Sequence, residues 1–315
     1  MNCRLSQASD LFLLDREAQG CTTKTLATYR YTLPHFLNYL FQQGLKDPQE
    51  VTPTHLRNFL LSLRDRGLKD TTQHSHARTI KTFFNFLVAE EELEKSPMAK
   101  VKMPRLEKKI LSPYSPDEVQ SLLSACDRLT LTGARNYAIL LTLLDTGLRA
   151  AELLSLRINS FDPDTGLTRI MGKGRKEREV RMGVKARQAL RRYLILRKDY
   201  RRDDPLWAML DFKGGATQLP LQMRGLQMML WRLGDETNVH PCSPHRFRRT
   251  FALWCLRSGM DVFSLKLLMG HSTLSTALRY LDLNGQDVER AHKAHSPADG
   301  LLARNSDGIT RCGLR

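Results

Sequence analysis

The sequence predicts a mainly α-helical protein with a small β-sheet, built as a helical N-terminal domain and a larger α+β domain joined by a basic linker. Three observations predict this. Apolar residues recur at helical spacing through residues 1–94. Only residues 167–182 carry a clear strand signal, two alternating runs around a glycine-rich turn. Between these regions, residues 95–112 carry Lys95, Lys100, Lys102, Arg105, Lys108 and Lys109, are interrupted by Pro97 and Pro104, and are opposed only by Glu107. Such a stretch reads as a linker. The expected divisions are 1–94, the linker 95–112, a second domain at 113–296 and a tail at 297–315.

Four helices are expected in the first domain. Leu11 to Leu14 belong to a short opening helix ended near Gly20. Thr22 or Thr23 caps a second, along which Leu26, Tyr29, Leu33, Phe36, Leu37 and Leu40 recur, with Pro34 inside it as a kink or a late start. Pro53 opens a third, through Leu56, Phe59, Leu60 and Leu63 to Gly67, and Asp70 a fourth, through Ile80, Phe83, Phe84 and Leu87. Short loops between them predict a compact bundle.

In the second domain, Ser115-Pro116 starts a helix through Val119 and Leu122. The run from Tyr137 to Leu144 is apolar almost all round and reads as a buried helix. The hairpin pairs Leu167–Met171 with Arg178–Met182 around the Gly172-Lys173-Gly174 tip. Helices follow at 184–200, 221–233, 244–257 and 262–269, and around Tyr280.

The formal net charge is +16, unevenly spread. Residues 1–95 carry 12 Lys/Arg against 11 Asp/Glu, whereas residues 169–202 carry 14 against only Glu177, Glu179 and Asp199. A cluster of that size suits a polyanion, nucleic acid first, although a solvated face has the same composition. On the second helix Lys24, Thr25, Thr28 and Arg30, and on the fourth Thr72, Gln73, His74, His76, Arg78 and Lys81, are side chains that contact phosphates or read base edges in a major groove. An ordinary polar helix face reads the same way. Lys102 and Arg105 would lie along a nucleic-acid backbone.

The 6 cysteines are scattered without a Cys-x-x-Cys pair, as in a cytosolic protein with reduced thiols. His240, Cys242 and His245 lack a second ligand cluster, so no metal is expected. There is no basic-then-apolar leader and no apolar run near the ~20 residues that span a bilayer. A cytoplasmic, membrane-free protein is expected.

Six polar residues stand out by local setting: Arg149 after Thr146-Gly147-Leu148, Lys173 between two glycines, His245 and Arg248 at i and i+3 behind Ser243-Pro244, His271 after Gly270, and Tyr280. Together they are what metal-free attack on a phosphodiester requires: cations for the pentavalent transition state, a proton for the leaving oxygen and a nucleophile. Arg149 can place two N–H groups on one phosphate, with Glu152 to orient it. Lys173 can protonate a departing 5′ oxygen, with Arg175, Lys176 and Arg178 as phosphate contacts. Each setting alone has an ordinary structural reading: an Arg–Glu pair, a solvated turn, a helix cap or a core tyrosine.

In order and context these motifs resemble the tyrosine recombinases of the phage-integrase family, nearest the Xer-type and integrative-element members, over nearly the whole chain. The resemblance implies a SAM-like four-helix DNA-binding domain followed by a tyrosine-recombinase catalytic domain. It implies catalysis by Arg149, Lys173, His245, Arg248, His271 and the nucleophile Tyr280, through a 3′-phosphotyrosyl link, with no cofactor or metal. It also implies exchange through a Holliday junction in a tetramer, of this chain or with a related recombinase, on double-stranded DNA with an inverted-repeat core. A directionality factor is a further implied partner. Arg249 stands where family members often carry histidine, and remains a phosphate binder. The rival readings are a type IB topoisomerase-like nicking-closing enzyme and a DNA-binding accessory factor without catalysis. Residues 287–295 are expected to form a helix contacting a neighbouring protomer.

Overall fold

The computed structural model describes residues 3–106, 111–171 and 177–270. The chain divides into two compact units, residues 1–109 and 110–315.

In the first unit α1 (Arg4–Ala18), α2 (Thr23–Gln42), α3 (Pro53–Asp65) and α4 (Asp70–Ala89) form the expected bundle. The Thr22 hydroxyl accepts from the Thr25 N–H at the start of α2, and Pro53 sits in the first turn of α3 behind the Thr52 cap. Pro34 is accommodated within α2, which continues through it. The core is aromatic: Phe12 meets Phe83 edge-on at 5.6 Å between centroids, and Phe36 meets Phe59 at 5.0 Å. The expected boundary at residue 94 is too early. Met98 and Val101 are buried in this same core, the Arg57 guanidinium donates to the Lys100 carbonyl at 3.0 Å, and His74 Nδ1 lies 2.9 Å from the Pro104 carbonyl. Two apolar anchors outweigh the basic composition, so residues 97–104 pack on the bundle and are not a free linker.

The second unit begins with α5 (Pro116–Ser124), α6 (Leu131–Thr146) and the short α7 (Ala150–Ser155). Ala138, Ile139, Leu140 and Leu143 bury α6. Strands β1 (Leu167–Met171) and β2 (Glu177–Arg181) pair antiparallel, Leu167 opposite Arg181 and Met171 opposite Glu177. Thr168, Ile170 and Val180 point into the core, as alternation requires. Then follow α8 (Val184–Arg197), β3 (Ala208–Leu210), β4 (Ala216–Pro220), α9 (Met223–Glu236), α10 (Pro244–Arg257) and α11 (Val262–Met269). The β3–β4 hairpin was not expected. Its first strand is only 3 residues long, too short for alternation to show. The Asp211 carboxylate holds its turn by accepting from the Lys213 and Gly215 N–H groups, each at 2.8 Å. Because Leu221 N–H then closes onto the Trp207 carbonyl, α9 starts two residues later than its apolar pattern suggests. Among the described residues no helix is long and apolar enough to cross a membrane.

Candidate active site

Arg149 owes its position to the end of α6. Gly147 takes the left-handed C-cap conformation at φ +59°, the chain reverses, Leu148 is buried, and Arg149 becomes the N-cap of α7. A Cβ at 147 would overlap the Phe251 ring, so two requirements select glycine here.

Three residues on, Glu152 turns back toward Arg149. Its Oε2 accepts the Arg149 backbone N–H at 2.8 Å and its Oε1 accepts the Arg149 guanidinium at 2.9 Å. Glu152 and Arg149 are thus in direct contact. Arg178 on β2 adds a fork, Nη1 to Oε1 at 2.8 Å and Nη2 to Oε2 at 2.9 Å. Burial by itself would raise the Glu152 pKa. The Arg178 fork and the Arg149 donors overturn that and hold it down at about 2, so Glu152 is ionised at any working pH.

His245 and Arg248 sit in the first turns of α10, opened by the Ser243 cap with Pro244 at its first position. Arg248 is 4% exposed and donates from Nη1 to the Gly147 carbonyl at 2.6 Å and from Nη2 to the Met269 carbonyl at 2.7 Å. His245 keeps a face open to solvent. Protein packed round the rest of the ring, and the charges of Arg248 and Arg249, push its pKa below the usual histidine value. The imidazole is therefore expected to be neutral at pH 7.5. In DNA-free protein its ring C–H resonance, assigned by its loss in His245→Gln, should titrate below ~6.5. A midpoint above that value would remove the neutral-imidazole assignment.

The end of α11 gathers the site. Gly270 caps it in the left-handed conformation at φ +61°, and three arginines from three other elements donate to its last carbonyls. Arg178 Nε reaches Leu268 at 3.3 Å, Arg248 reaches Met269, and Arg149 reaches Met269 at 3.4 Å and Gly270 at 3.2 Å. A helix C-terminus carries partial negative charge and unpaired carbonyls, so cations satisfy it twice over. Arg149 and Arg178 both meet the Glu152 carboxylate, and Arg248 is held by two carbonyls beside them, so this cluster carries more positive than negative charge among the described residues. The next residue in the chain is His271.

One positioning pair was missed from sequence. Arg246, 4% exposed, donates from Nη2 to both Glu118 carboxylate oxygens at 2.7 and 2.8 Å and stacks over the Tyr114 ring at 4.0 Å. It ties the first turn of α10 to the start of α5. Because the partners lie 128 residues apart, no local pattern pairs them.

The remaining expected contacts divide. Lys24, Arg30, Arg78, Lys81, Lys102 and Arg105 are exposed, and Arg30 also pairs with Glu17 at 2.9 Å. Gln73 and His76 are not on the polar face of α4. They are 7% and 3% exposed, with Gln73 donating to the Leu68 carbonyl at 2.7 Å and His76 packed among Tyr31 and Phe59. Positions 73, 76, 77, 80, 83, 84 and 87 form one apolar-spaced stripe, and that spacing, not residue type, sets which face of α4 is buried. Arg178 faces Glu152 instead of open solvent, and Arg249 is buried on α10. Lys173, Arg175, Lys176, His271, Tyr280 and the helix expected at 287–295 lie outside the described residues.

The profile described as the Phage integrase family matches residues 114–287, and that of the phage integrase N-terminal SAM-like domain matches residues 14–91. The chain belongs to the phage integrase family. Among similar proteins, Tyrosine recombinase XerC of Bacillus licheniformis is 31% identical, over 87% of this chain and 90% of that protein. Tyrosine recombinase XerD of Listeria monocytogenes is 27% identical, over 89% and 94%. The Tn1549 transposon integrase, solved in complex with circular intermediate DNA, shares the fold at a TM-score of 0.70 and 22% identity, covering 93% of this chain and 99% of that one. This integrase-family chain is thus a tyrosine recombinase, an enzyme that breaks and rejoins DNA through a phosphotyrosyl intermediate.

Proposed function

We propose that Arg149, Lys173, His245, Arg248, His271 and Tyr280 are the catalytic set of a site-specific recombinase. The convergence of Arg149 and Arg248 with Arg178 on the end of α11, one residue before His271, carries this reading. Arg149 holds a non-bridging oxygen of the scissile phosphate, and the buried Arg248, its Nη groups on the Gly147 and Met269 carbonyls, adds positive charge behind it. The Tyr280 oxygen attacks phosphorus, the P–O5′ bond breaks, and Lys173 protonates the departing 5′ oxygen. Neutral His245 takes the phenol proton that Tyr280 loses as its oxygen attacks. Attack by the 5′ hydroxyl of a partner strand reverses the step on a new junction. The bond energy is kept in the phosphotyrosyl link throughout.

The exposed cations Lys24, Arg30, Arg78, Lys81, Lys102 and Arg105, with Arg175 and Lys176, bind the duplex flanking an inverted-repeat core. The assembly is a tetramer, of this chain alone or with a related recombinase, and exchange runs through a Holliday junction. It serves integration and excision of a mobile element, or dimer resolution, with a directionality factor in the first case. The similarity to XerC spans both domains, which favours strand exchange over a nicking-closing enzyme.

Covalent capture tests this. Protein is incubated with sheared source DNA in EDTA, denatured, and the linked fragments are sequenced. Adducts are expected at one short inverted repeat and to vanish in Tyr280→Phe. Scattered adducts would support nicking-closing activity, and adducts retained by Tyr280→Phe would remove Tyr280 as nucleophile.

A further inference from the structure

Two arginines share Glu152, and they share it unequally. Arg178 takes the fork, one Nη on each carboxylate oxygen at 2.8 and 2.9 Å, while the Arg149 side chain holds Oε1 alone. With the Arg149 backbone N–H on Oε2, the carboxylate accepts four hydrogen bonds, about all it can. The Arg178 side chain is 15% exposed and its Nε is also engaged, on the Leu268 carbonyl, whereas the Arg149 side chain is 42% exposed. A mostly buried guanidinium with Nε and both Nη groups engaged is poorly placed to bind a phosphate. Arg149 also meets three acceptors, Glu152 Oε1 and the Met269 and Gly270 carbonyls, but only through its Nη groups, and its greater exposure leaves an edge open.

We propose that Arg178 is a positioning residue for the cleavage step and not a phosphate contact. By occupying the fork on Glu152 it denies Arg149 the bidentate pairing an Arg–carboxylate pair otherwise adopts, and so leaves the Arg149 guanidinium turned outward. Through Leu268 it also fixes the end of α11 against the same carboxylate, and its side chain lies where a Cβ on Gly270 would stand, at 3.0 Å. One residue on β2 thus ties that strand to the Arg149 turn and to the end of α11. This rests on the reading that Arg149 binds the scissile phosphate.

The test uses full-length protein and a duplex carrying the captured site. Arg178→Lys keeps the charge but cannot fork. Arg178→Gln removes the charge, and Arg178→Lys stands in if the Gln variant melts early. Both should lower single-turnover cleavage on the order of 10²-fold, the scale for a misplaced catalytic group. The slope of log affinity against log salt should stay as in the parent protein. Loss of a phosphate contact would instead flatten that slope by about 0.9. In an Arg149→Ala background the same substitutions should cost less than about threefold, because no guanidinium is left to position. Three results would overturn the proposal: a flattened slope with normal cleavage of bound DNA, an equal loss in both backgrounds, or full activity in Arg178→Lys. If the parent protein forms no Tyr280-dependent adduct, it is the reading of the site that fails, and the Arg178 variants are not the cause.

Discussion

Arg149→Ala should lower single-turnover cleavage on the order of 10³-fold, the scale for losing one preorganised donor to transition-state charge. Duplex affinity should change by less than about tenfold, because one phosphate contact among many contributes little to binding. The selectivity for the chemical step follows from the setting. The guanidinium is held at a fixed place by Glu152 and the α11 carbonyls while keeping an open edge, so its remaining N–H groups need no reorganisation as charge builds on the phosphate. Lysine should recover little, since a point charge cannot span two oxygens. Stability should hardly move, because the Arg149 side chain is 42% exposed and Glu152 keeps its Arg178 fork. Quench-flow cleavage beside a half-site binding titration checks this. Equal losses in affinity and cleavage would make Arg149 a plain binding residue.

The second large effect is on stability, at the same turn. Gly147→Ala should destabilise the protein by about 3 kcal/mol, from the left-handed backbone and the overlap of the new Cβ with the Phe251 ring. For a unit of this size that is a fall in melting temperature of roughly 6–12 °C. Cleavage should fall as well, since the Gly147 carbonyl receives Arg248 at 2.6 Å and the turn aims Arg149. Differential scanning calorimetry alongside the cleavage assay reads both. An unchanged melting temperature would mean that Phe251 yields freely and that the turn is less constrained than its geometry implies.

Much of this molecule was legible because its signals are local. Thr22, Thr52, Ser115 and Ser243 cap helices where a cap followed by a helical pattern places them. Gly147 and Gly270 end helices where glycine is needed for positive φ. The β1–β2 hairpin forms where expected, with its second strand at Glu177–Arg181 where Arg178–Met182 was expected. Signals that depend on packing are less legible. Gln73 and His76 were placed outside by their polarity and inside by their spacing, and spacing prevailed, since a helix face buried against three others takes in whatever stands on it.

By itself the sequence determined the chemical inventory and its order: which arginines, histidines and tyrosine follow which glycine, and hence the family and its chemistry. Only the tertiary structure decided which of several equivalent basic residues does what. Arg149, Arg178 and Arg248 are chemically identical, and no local pattern says that one forks a carboxylate, one is buried on two carbonyls and one keeps an exposed edge. Apart from the Arg149–Glu152 contact, that assignment depends on partners 21 to 121 residues away. It is made when α6, α7, β2, α10 and the end of α11 pack together, because a guanidinium's role is set by which acceptors remain to it once the chain has closed around it.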